Sequence, residues 1–360
     1  MKWFHNPFRL VRVVGTFFRT GAVEQVLKIT KVSKLIKFGI LFMGKPLIVF
    51  GIKGPYKKSP IVRALIALGP AYIKFGQLLS TRPDIVGADL ANELKVLQDS
   101  LDPFPTTEAK KIVNEELGSP VESIFSSFSD SVAAASIAQV HKATVKETKE
   151  LVAVKILRPD VEKVFLKDLA ALLFLAKFIE FIIPSFRRLK PTEVINHFER
   201  LVREELDLRM EISAAAEFAE NTKSDRNFYV PKVIWSLSGK RVVTTEWVDG
   251  MSVGDIERIK KSGVDIESFA KRIIKTFLTQ ALRDGFFHGD MHQGNLKCRS
   301  DGTLIVMDFG IMGRIDEYTR KTYAEILIGF LRRDYLRVAE VHFEAGYVPE
   351  NQNVQEFSQA

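Results

Sequence analysis

The segment between His288 and Gly310 constrains this chain more than any other part of it. It contains a His-Gly-Asp triplet that ends at Asp290, then Asn295, and then an Asp-Phe-Gly triplet that begins with Asp308. The apolar run 304–307 predicts a short buried strand, so Asp308 should lie at a strand end. Carboxylate and amide oxygens are ligands that magnesium prefers in proteins, and three such side chains therefore indicate hard-cation chemistry.

A lone Asp-Phe-Gly triplet is most often a strand followed by a turn, but the whole combination in this order is typical of a phosphotransferase. In such enzymes the loop aspartate, here Asp290, accepts the proton of the acceptor hydroxyl. Asn295 and Asp308 would hold Mg²⁺ against the phosphates of ATP. The sequence therefore predicts an enzyme with ATP and Mg²⁺ as cofactors.

Composition sets the limits of the fold. The chain has 360 residues, of which 46% are hydrophobic and 27% are charged, so it can bury a large core and should form about two domains. Its one cysteine, Cys298, excludes an internal disulfide framework and fits a reducing compartment. Without a paired base nearby in sequence, Cys298 is better explained as a small buried apolar residue than as a nucleophile.

The positive charge is concentrated at the N-terminal end. Between Lys2 and Lys58 the only acid is Glu24, and large aromatic and aliphatic residues separate the lysines and arginines. This pattern is typical of helices that lie on an anionic membrane surface, and no stretch reaches the roughly 20 apolar residues that span a bilayer. A transit peptide and a nucleic-acid interface are the alternatives. The segment is poor in serine, and its aliphatic residues suit acyl chains better than bases, so we expect no nucleic-acid partner.

Further along, 55–60 is predicted to be a linker, and 61–97 to form a helix, a loop and a second helix. Two β-patterned runs around a polar turn at 146–150 predict a hairpin, whose second strand ends in Val-Ala-Val-Lys at Lys155. The run 169–183 is predicted to be a packed or partly exposed helix.

A loop of small residues precedes this hairpin, where a kinase places its glycine-rich phosphate cover. Alanine replaces glycine, and each Cβ restricts φ and keeps the backbone amides farther from a phosphate. We therefore expect this loop to bind the nucleotide differently from a glycine-rich loop. Its residues are Ala133, Ala134, Ala135, Ser136, Ile137, Ala138, Gln139, Val140 and His141.

Taken together, these motifs resemble the UbiB family, also called AarF-domain atypical kinases, of ubiquinone biosynthesis. The family-specific parts are Lys-Phe-Gly-Gln at 74–77, the alanine loop, Glu-Leu-Asp at 205–207 and the run 288–295. The resemblance implies an α+β, protein-kinase-like bilobal fold with a helical N-terminal extension that crosses the active site. On this basis the segments would be 1–60, basic and membrane-associating; 61–130, the helical extension; 131–250, the N-lobe with a helical insert; and 251–360, the C-lobe.

The resemblance also assigns roles to individual residues. Lys155 would contact the phosphates, with Glu211 as its ion-pair partner. Lys74 and Gln77 would meet the nucleotide region, and the acidic motif Glu205 and Asp207 would face Lys74. The backbone of the hinge would bind adenine, at Glu246 and Val248.

The function implied is a membrane-associated atypical kinase or ATPase that handles hydrophobic quinone precursors. Its partners would be membrane lipids, quinone precursors and other ubiquinone-biosynthesis proteins, with a homodimer left open. The expected location is the cytoplasmic face of the bacterial inner membrane, with the mitochondrial inner membrane as the alternative. UbiB-like proteins extend beyond the position of Ala360, so we expect part of the C-lobe and a C-terminal anchor to lie outside this chain.

Two other functions fit some of the same residues. His-Gly-Asp followed by asparagine also occurs in aminoglycoside and choline kinases, which phosphorylate soluble small molecules. A nucleotide-binding scaffold that recruits biosynthetic enzymes is the second alternative, although it would need neither a base at Asp290 nor a metal ligand at Asp308.

Overall fold

The computed structural model describes residues 7–29, 33–99, 102–182, 184–349 and 351–359. Several residues of the predicted basic segment, Lys2 and Lys31 among them, lie outside the described residues. The chain divides into two compact units. The first comprises Met1–Leu208 and Trp235–Thr244, and the second comprises Arg209–Ile234 and Thr245–Ala360.

Helices dominate both units. The α-helices are α1 (Pro7–Thr20), α2 (Ala22–Ile29), α3 (Lys34–Gly44), α4 (Pro60–Leu68), α5 (Pro70–Ser80), α6 (Pro83–Val86), α7 (Ala88–Leu94), α8 (Thr106–Leu117), α9 (Val121–Ile124), α10 (Val161–Ile182), α11 (Pro191–Glu205), α12 (Leu208–Asn221), α13 (Ile256–Lys261), α14 (Ile266–Thr279), α15 (Glu317–Arg332), α16 (Tyr335–Glu344) and α17 (Val354–Gln359). Short 3₁₀ helices cover Lys45–Phe50, Lys95–Asp99, Pro184–Leu189 and Trp235–Leu237, and a π-helical turn covers Gln280–Asp284.

The strands are β1 (Phe125–Ala134), β2 (Ala138–Val145), β3 (Leu151–Leu157), β4 (Phe228–Tyr229), β5 (Val242–Glu246), β6 (Met251–Ser252), β7 (Phe286–His288), β8 (Leu296–Cys298), β9 (Leu304–Val306) and β10 (Met312–Arg314). One sheet has the order β1-β2-β3-β5, a second has the order β4-β9-β8-β6, and β7 pairs with β10. This mixture of helices and sheets confirms the predicted α+β class.

Prolines and a glycine explain where the helices of the first unit begin. Pro60 and Pro70 occupy the first turns of α4 and α5, where a missing N–H costs no intrahelical bond. Between them Gly69 has a φ of 101°, a conformation that side-chain-bearing residues rarely adopt. Gly69 therefore separates α4 from α5. The range 61–97, predicted as a helix, a loop and a second helix, is helical but is divided among four short α-helices, α4 to α7, and a 3₁₀ helix.

The β2–β3 hairpin forms as predicted, with Ala138 opposite Leu157 and Thr144 opposite Leu151. In β3 the side chains of Val152, Val154 and Ile156 are buried, whereas Lys155 between them is only partly buried. Because strand side chains alternate between faces, Lys155 lies on the face opposite that valine and isoleucine row.

The second unit is built around aromatic packing. Phe218 of α12 contacts the rings of Phe286 and Phe309, with centroids 6.2 and 5.4 Å apart. All three residues of β9 are buried, which confirms the buried strand predicted before Asp308. Cys298 of β8 is also fully buried, and this burial raises the pKa of its thiol, so it is a core residue as expected.

Aspartates begin four helices of this unit. Asp255, Asp265, Asp316 and Asp334 precede α13, α14, α15 and α16, and each side chain accepts a hydrogen bond from a backbone N–H in the first turn. Such caps satisfy N–H groups that have no partner within the helix. The C-terminal helices therefore start at positions that the sequence marks.

Two segments with helical sequence patterns are interrupted in the structure. The run 203–211 is not one helix, because α11 ends at Glu205 and α12 begins at Leu208, whose N–H donates to the carbonyl of Lys240. The run 311–320 does not pass directly into a helix, because β10 first pairs with β7. Each helical pattern was interrupted by a bond to a segment distant in sequence.

The predicted helix over 169–183 is present as α10, with its final predicted residue, Ile183, outside the described part of the chain. Among the described residues, no helix combines the length and the hydropathy needed to cross a bilayer. The exposed surface of the N-terminal helices is nevertheless apolar: Leu35 is 87% exposed, Phe38 72% and Phe42 68%.

Candidate active site

His288 connects the two loops that carry the predicted catalytic and metal-binding residues. The ring is 1% exposed, and its Nε2 lies 2.8 Å from the carbonyl oxygen of Asp308 and 3.2 Å from that of Met307. Its Nδ1 accepts a hydrogen bond from the N–H of Asp290 at 3.1 Å. This pattern assigns the ring proton to Nε2. One buried imidazole thus fixes the backbone at both Asp290 and Asp308.

Asn295 supports the same loop from its other end. Its side-chain Nδ2 donates to the backbone carbonyl of Asp290 at 3.0 Å. Its backbone carbonyl accepts from the N–H of Met307 at 2.8 Å. Since the amide nitrogen is engaged with the loop, the remaining Oδ1 is the atom of this side chain that suits a cation. Within the second unit, Asn295 is therefore bonded directly to Asp290, and His288 connects Asp290 to Asp308.

The backbone at Asp308 is in a left-handed conformation, with a φ of 56°. The next residue, Phe309, is 6% exposed and packs against Phe218 and against the ring of His288. An Asp in this region of φ is uncommon and worth relating to function. Here the turn lets Phe309 enter the core while Asp308 stays at the end of β9.

The oxygen atoms of Asn295 and Asp308 fit Mg²⁺, which binds proteins through few carboxylates and takes its other ligands from water and phosphate. No cluster of three or more histidine, cysteine or acidic side chains suited to a metal occurs in the described ranges. A metal held here together with a nucleotide stays a prediction.

Asp290 is accessible, unlike His288. Its side chain is 40% exposed, and its Oδ2 lies 3.6 Å from Nε2 of His292. A carboxylate in this position can meet an acceptor hydroxyl or a water, which is the geometric requirement for a general base.

The alanine loop covers the turn between β1 and β2, with Ala133 and Ala134 at the end of β1 and residues 138–141 at the start of β2. The N–H of Ala135 donates to the carbonyl of Ala138 at 2.8 Å, and the guanidinium of Arg158 binds the carbonyl of Ala135. Arg158 also donates to the carbonyl of Asp102 at 2.9 Å. The loop is therefore held by a specific cation, a contact that the sequence did not reveal because Arg158 is distant from Ala135 along the chain.

Two loop residues assigned to the nucleotide have other partners for their side chains. The amide of Gln139 is 1% exposed and exchanges hydrogen bonds with the backbone N–H and carbonyl of Phe104. His141 is fully buried, lies 2.8 Å from Gln139 through its Nε2, and 2.8 Å from the carbonyl of Ser129 through its Nδ1. Burial lowers the pKa of His141. Any nucleotide contact at these two positions would be made by the backbone.

Lys74 faces the acidic motif as predicted. Its Nζ lies 2.7 Å from Oε1 of Glu205, and the two side chains are 21% and 13% exposed. The pair joins α5 to the last residue of α11 within the first unit. Asp207 follows in the short break before α12, and its own facing to Lys74 stays a prediction.

The other residues of the Lys-x-Gly-Gln motif have structural contacts. Nε2 of Gln77 donates to the carbonyl of Leu97 at 2.9 Å. A Cβ on Gly76 would overlap the terminal methyl groups of Leu97 and Leu65, so both buried leucines would have to shift to accept a side chain there. The roles of Lys74 and Gln77 toward a nucleotide remain predictions.

Lys155 lies in β3 of the first unit, and Glu211 lies in the first turn of α12 in the second unit. Their ion pair stays a prediction. At the predicted hinge, the N–H of Glu246 donates to the carbonyl of Lys232 at 2.8 Å, and the carbonyl of Val248 accepts from Lys297 at 3.2 Å. The adenine contacts of Glu246 and Val248 stay predictions.

Sequence reasoning missed the roles of His288 and Lys297. The sequence marks His288 only as part of a triplet, although a histidine before a loop of polar residues is a signal for a structural hydrogen bond. Lys297 lies 5.6 Å from the centre of the Trp247 ring, and burial lowers the pKa of its ammonium. No sequence signal pairs Lys297 with the hinge.

Known proteins resemble this chain in sequence and in fold. Residues 96–342 match the family described as the ABC1 atypical kinase-like domain. A protein named probable protein kinase UbiB from Aliivibrio fischeri strain MJ11 is 40% identical over 318 residues, which cover 86% of this chain and 58% of that protein. A protein of the same name from Marinobacter nauticus is 36% identical and covers 98% of this chain and 64% of its own length. The chain thus spans about three fifths of the curated relatives that it matches.

Among solved structures, the Rv3197 protein of Mycobacterium tuberculosis, determined as a complex with erythromycin, matches with a TM-score of 0.56 and 25% identity. The match covers 79% of this chain and 71% of that one. The kinase-like fold and the resemblance to UbiB proteins are both confirmed, and the chain belongs to the family of the ABC1 atypical kinase-like domain.

Proposed function

We propose that this chain is a membrane-associated atypical kinase or ATPase that binds Mg-ATP and supports ubiquinone biosynthesis by acting on hydrophobic quinone precursors. The observation that carries the proposal is the arrangement around His288, which fixes Asp290 and Asp308 through opposite ring nitrogens. A scaffold would not need this preorganisation of a base and a metal ligand. The names of the UbiB relatives support the quinone pathway.

In this proposal Asn295 and Asp308 hold the magnesium of Mg-ATP, which supplies charge neutralisation at the phosphates. Asp290 orients or deprotonates the acceptor, whether a water or an organic hydroxyl. Lys155 contacts the phosphates, and Glu211 holds its ammonium in place. His288 takes no part in proton transfer, because both of its nitrogens are committed to the backbone.

The N-terminal helices support membrane association. Leu35, Phe38 and Phe42 of α3 are exposed, while Lys34 and Lys37 lie on the same helix. Apolar side chains bordered by lysines suit the interface of an anionic membrane. Peripheral binding to the cytoplasmic face of the inner membrane would bring the enzyme to its lipid-soluble substrates.

The direct test is magnesium-dependent ATP hydrolysis by the purified chain. Asp308→Asn should lower turnover roughly hundredfold, because a metal ligand for the transition-state charge is weakened. The matched control is Asp301→Asn, which changes an exposed aspartate at the other end of β9, in the turn after β8, and should leave turnover unchanged.

Two outcomes would contradict the proposal. If Asp308→Asn hydrolyses ATP like the unchanged chain, the assignment of the metal site is wrong. If a fluorescent ATP analogue binds but neither the unchanged chain nor any variant turns over, with or without anionic liposomes, the scaffold function replaces the enzyme. The pathway is tested separately, by measuring ubiquinone in a bacterial strain that lacks its own UbiB protein and expresses either form.

A further inference from the structure

Helix α10 carries an apolar ridge on the outside of the first unit. Leu166, Ala170, Phe174, Phe178 and Ile182 follow one another in steps of four residues, and each of them is exposed. Side chains four residues apart are neighbours on a helix surface, so these five form one continuous ridge about 24 Å long. None of them is used by the proposed kinase mechanism.

The opposite side of α10 anchors the helix to the unit. Phe165 and Leu169 are buried there, and Asp168 between them is 1% exposed. The carboxylate of Asp168 accepts from Nε of Arg9 in α1 at 2.7 Å, and the hydroxyl of Tyr72 in α5 hydrogen-bonds the same carboxylate. Because these contacts fix the inward side of the helix, the ridge is held facing away from the unit.

Exposure of the ridge increases toward the end of the helix. Phe174 is 38% exposed, Phe178 50% and Phe181, which lies beside the ridge, 77%. The rings of Phe174 and Phe178 are stacked, with centroids 6.2 Å apart and planes inclined by 12°. Contiguous apolar surface of this kind marks a contact with another molecule in most soluble proteins.

Lysines lie on the same side of the helix as the ridge. Lys163, Lys167 and Lys177 are exposed, and each lies three residues from a member of the ridge, a spacing that brings side chains together on a helix. Lys163 pairs with Asp160, but both side chains of this bridge are exposed, so the pair is weak. The outward side of α10 therefore combines apolar and basic side chains.

The glutamates of α10 are engaged by other parts of the unit. Glu162 pairs with Lys240 at 2.9 Å. Both side-chain oxygens of Glu180 accept hydrogen bonds from Thr192, each at 2.9 Å. Beyond the helix, Arg188 adds a further exposed positive charge. The charge that α10 presents to its surroundings is therefore predominantly positive.

An anionic membrane fits this surface better than another protein does. The cores of protein interfaces are depleted of lysine, whereas lysines on a membrane-bound helix lay their stems along apolar side chains and extend the ammonium groups to lipid phosphates. Anionic headgroups also attract each positive charge near the surface. A ridge along one helix is convex, a shape that suits a helix lying flat among the headgroups.

We propose that α10 is a second membrane-binding element, whose apolar ridge enters the headgroup region of an anionic bilayer. The proposal rests on the membrane association proposed from α3 and adds a separate contact in the same unit. It does not depend on ATP hydrolysis.

A fluorescent label tests directly whether the ridge enters the bilayer. The chain has one cysteine, Cys298, which is fully buried, so the cysteine introduced by Phe181→Cys can be labelled selectively with an environment-sensitive dye. We expect the emission to shift to shorter wavelength with vesicles that contain phosphatidylcholine and phosphatidylglycerol. Thr148→Cys, at an exposed turn of the same unit, is the labelled control and should show no shift.

Flotation with the same vesicles measures the contribution of the ridge to binding. Phe178→Glu together with Phe181→Glu should reduce flotation at least about tenfold, because charges that the lipid surface repels replace two apolar anchors. Leu151→Glu together with Trp235→Glu is the matched control, since it makes the same change of charge at two exposed apolar residues of the first unit. All four substitutions alter exposed side chains, so both variants should melt like the unchanged chain.

The outcomes separate this inference from the rest of the proposed function. If the unchanged chain does not float, the membrane association from α3 and the inference both fail, whereas ATP hydrolysis in solution still tests the kinase. If Phe38→Glu with Phe42→Glu abolishes flotation but the α10 variant floats normally and the dye does not respond, only the inference is wrong. A shift of the dye that requires high protein concentration instead of vesicles would make the ridge an interface between copies and also overturn it.

Discussion

At the scale of single residues, the catalytic loop depends on one buried ring. His288→Phe keeps an aromatic ring of similar size but removes the bonds to Asp290, Met307 and Asp308. We expect ATP turnover to fall about a hundredfold, because small displacements of reacting groups cost that much. Steady-state kinetics measure the effect. His197→Phe, at an exposed histidine of α11, is the control; equal turnover of both variants would show that His288 does not position the loop.

A second histidine predicts a dependence of stability on pH. Burial lowers the pKa of His141 below its ordinary value of 6.5, so the folded protein holds this ring neutral. The unfolded chain binds a proton more readily, and the contribution of His141 is fully present above pH 6.5 and is lost as the pH falls through its folded pKa.

Urea unfolding across this pH range measures the effect. The free energy of unfolding should fall more steeply toward acid in the unchanged chain than in His141→Asn, with a difference in slope of at most about 1.4 kcal/mol per pH unit. Other titrating groups cancel in this comparison. Parallel curves for the two proteins would mean that His141 titrates alike in the folded and unfolded states.

The positions of site residues could be predicted from the sequence where those residues lie close together along the chain. The order of Asp290, Asn295 and Asp308 sufficed to place them in one loop system, since the short strands between them leave few arrangements. The ties made by His288 to backbone carbonyls were not predictable, because any residue can supply a carbonyl. The pair of Arg9 and Asp168, which are 159 positions apart, carries no local signal either.

At the scale of elements, the packing of α5 explains why its motif contains glycine. Lys74 pairs with Glu205, Gln77 binds the carbonyl of Leu97, and Gly76 leaves room for Leu65 and Leu97. Gly76→Ala should therefore destabilise the protein by about 1–3 kcal/mol, the usual cost of overfilling a packed interior.

Gly39→Ala is the matched control. Gly39 also lies inside a helix of the first unit, but nothing within 4 Å would meet its new Cβ. Alanine there should raise stability by about 0.5–1 kcal/mol, because it favours helix over coil. Urea unfolding compares both variants, and a neutral Gly76→Ala would mean that α5 can shift to accommodate a methyl group.

Elements were predicted well where their period was regular and poorly where a distant segment interrupted them. The β2–β3 hairpin and α10 follow directly from their apolar patterns. The break at Leu206 and Asp207 does not, because it depends on the bond between Leu208 and Lys240. The apolar pattern of a segment indicates its preferred secondary structure. A hydrogen bond to a distant segment depends instead on the tertiary structure.

At the scale of the whole molecule, charge and exposed apolar surface at the N-terminal end predict binding to anionic membranes. Phe38→Glu together with Phe42→Glu should reduce flotation with anionic liposomes at least about tenfold, because two apolar anchors are replaced by charges that the surface repels. Phe330→Glu, at an exposed phenylalanine of α15, is the control. If the double variant floats as well as the unchanged chain, another surface of the protein binds the membrane.

The path of the chain between the two units has a consequence for biosynthesis. The chain leaves the first unit after Leu208, returns to it for Trp235–Thr244, and then continues in the second unit. Strand β5, which completes the first sheet, is therefore translated after α12 and β4 of the second unit. During translation the first unit cannot complete its fold until Thr244 has left the ribosome. By then Arg209–Ile234 of the second unit has already emerged. Neither unit can be expressed alone by cutting the gene at one position.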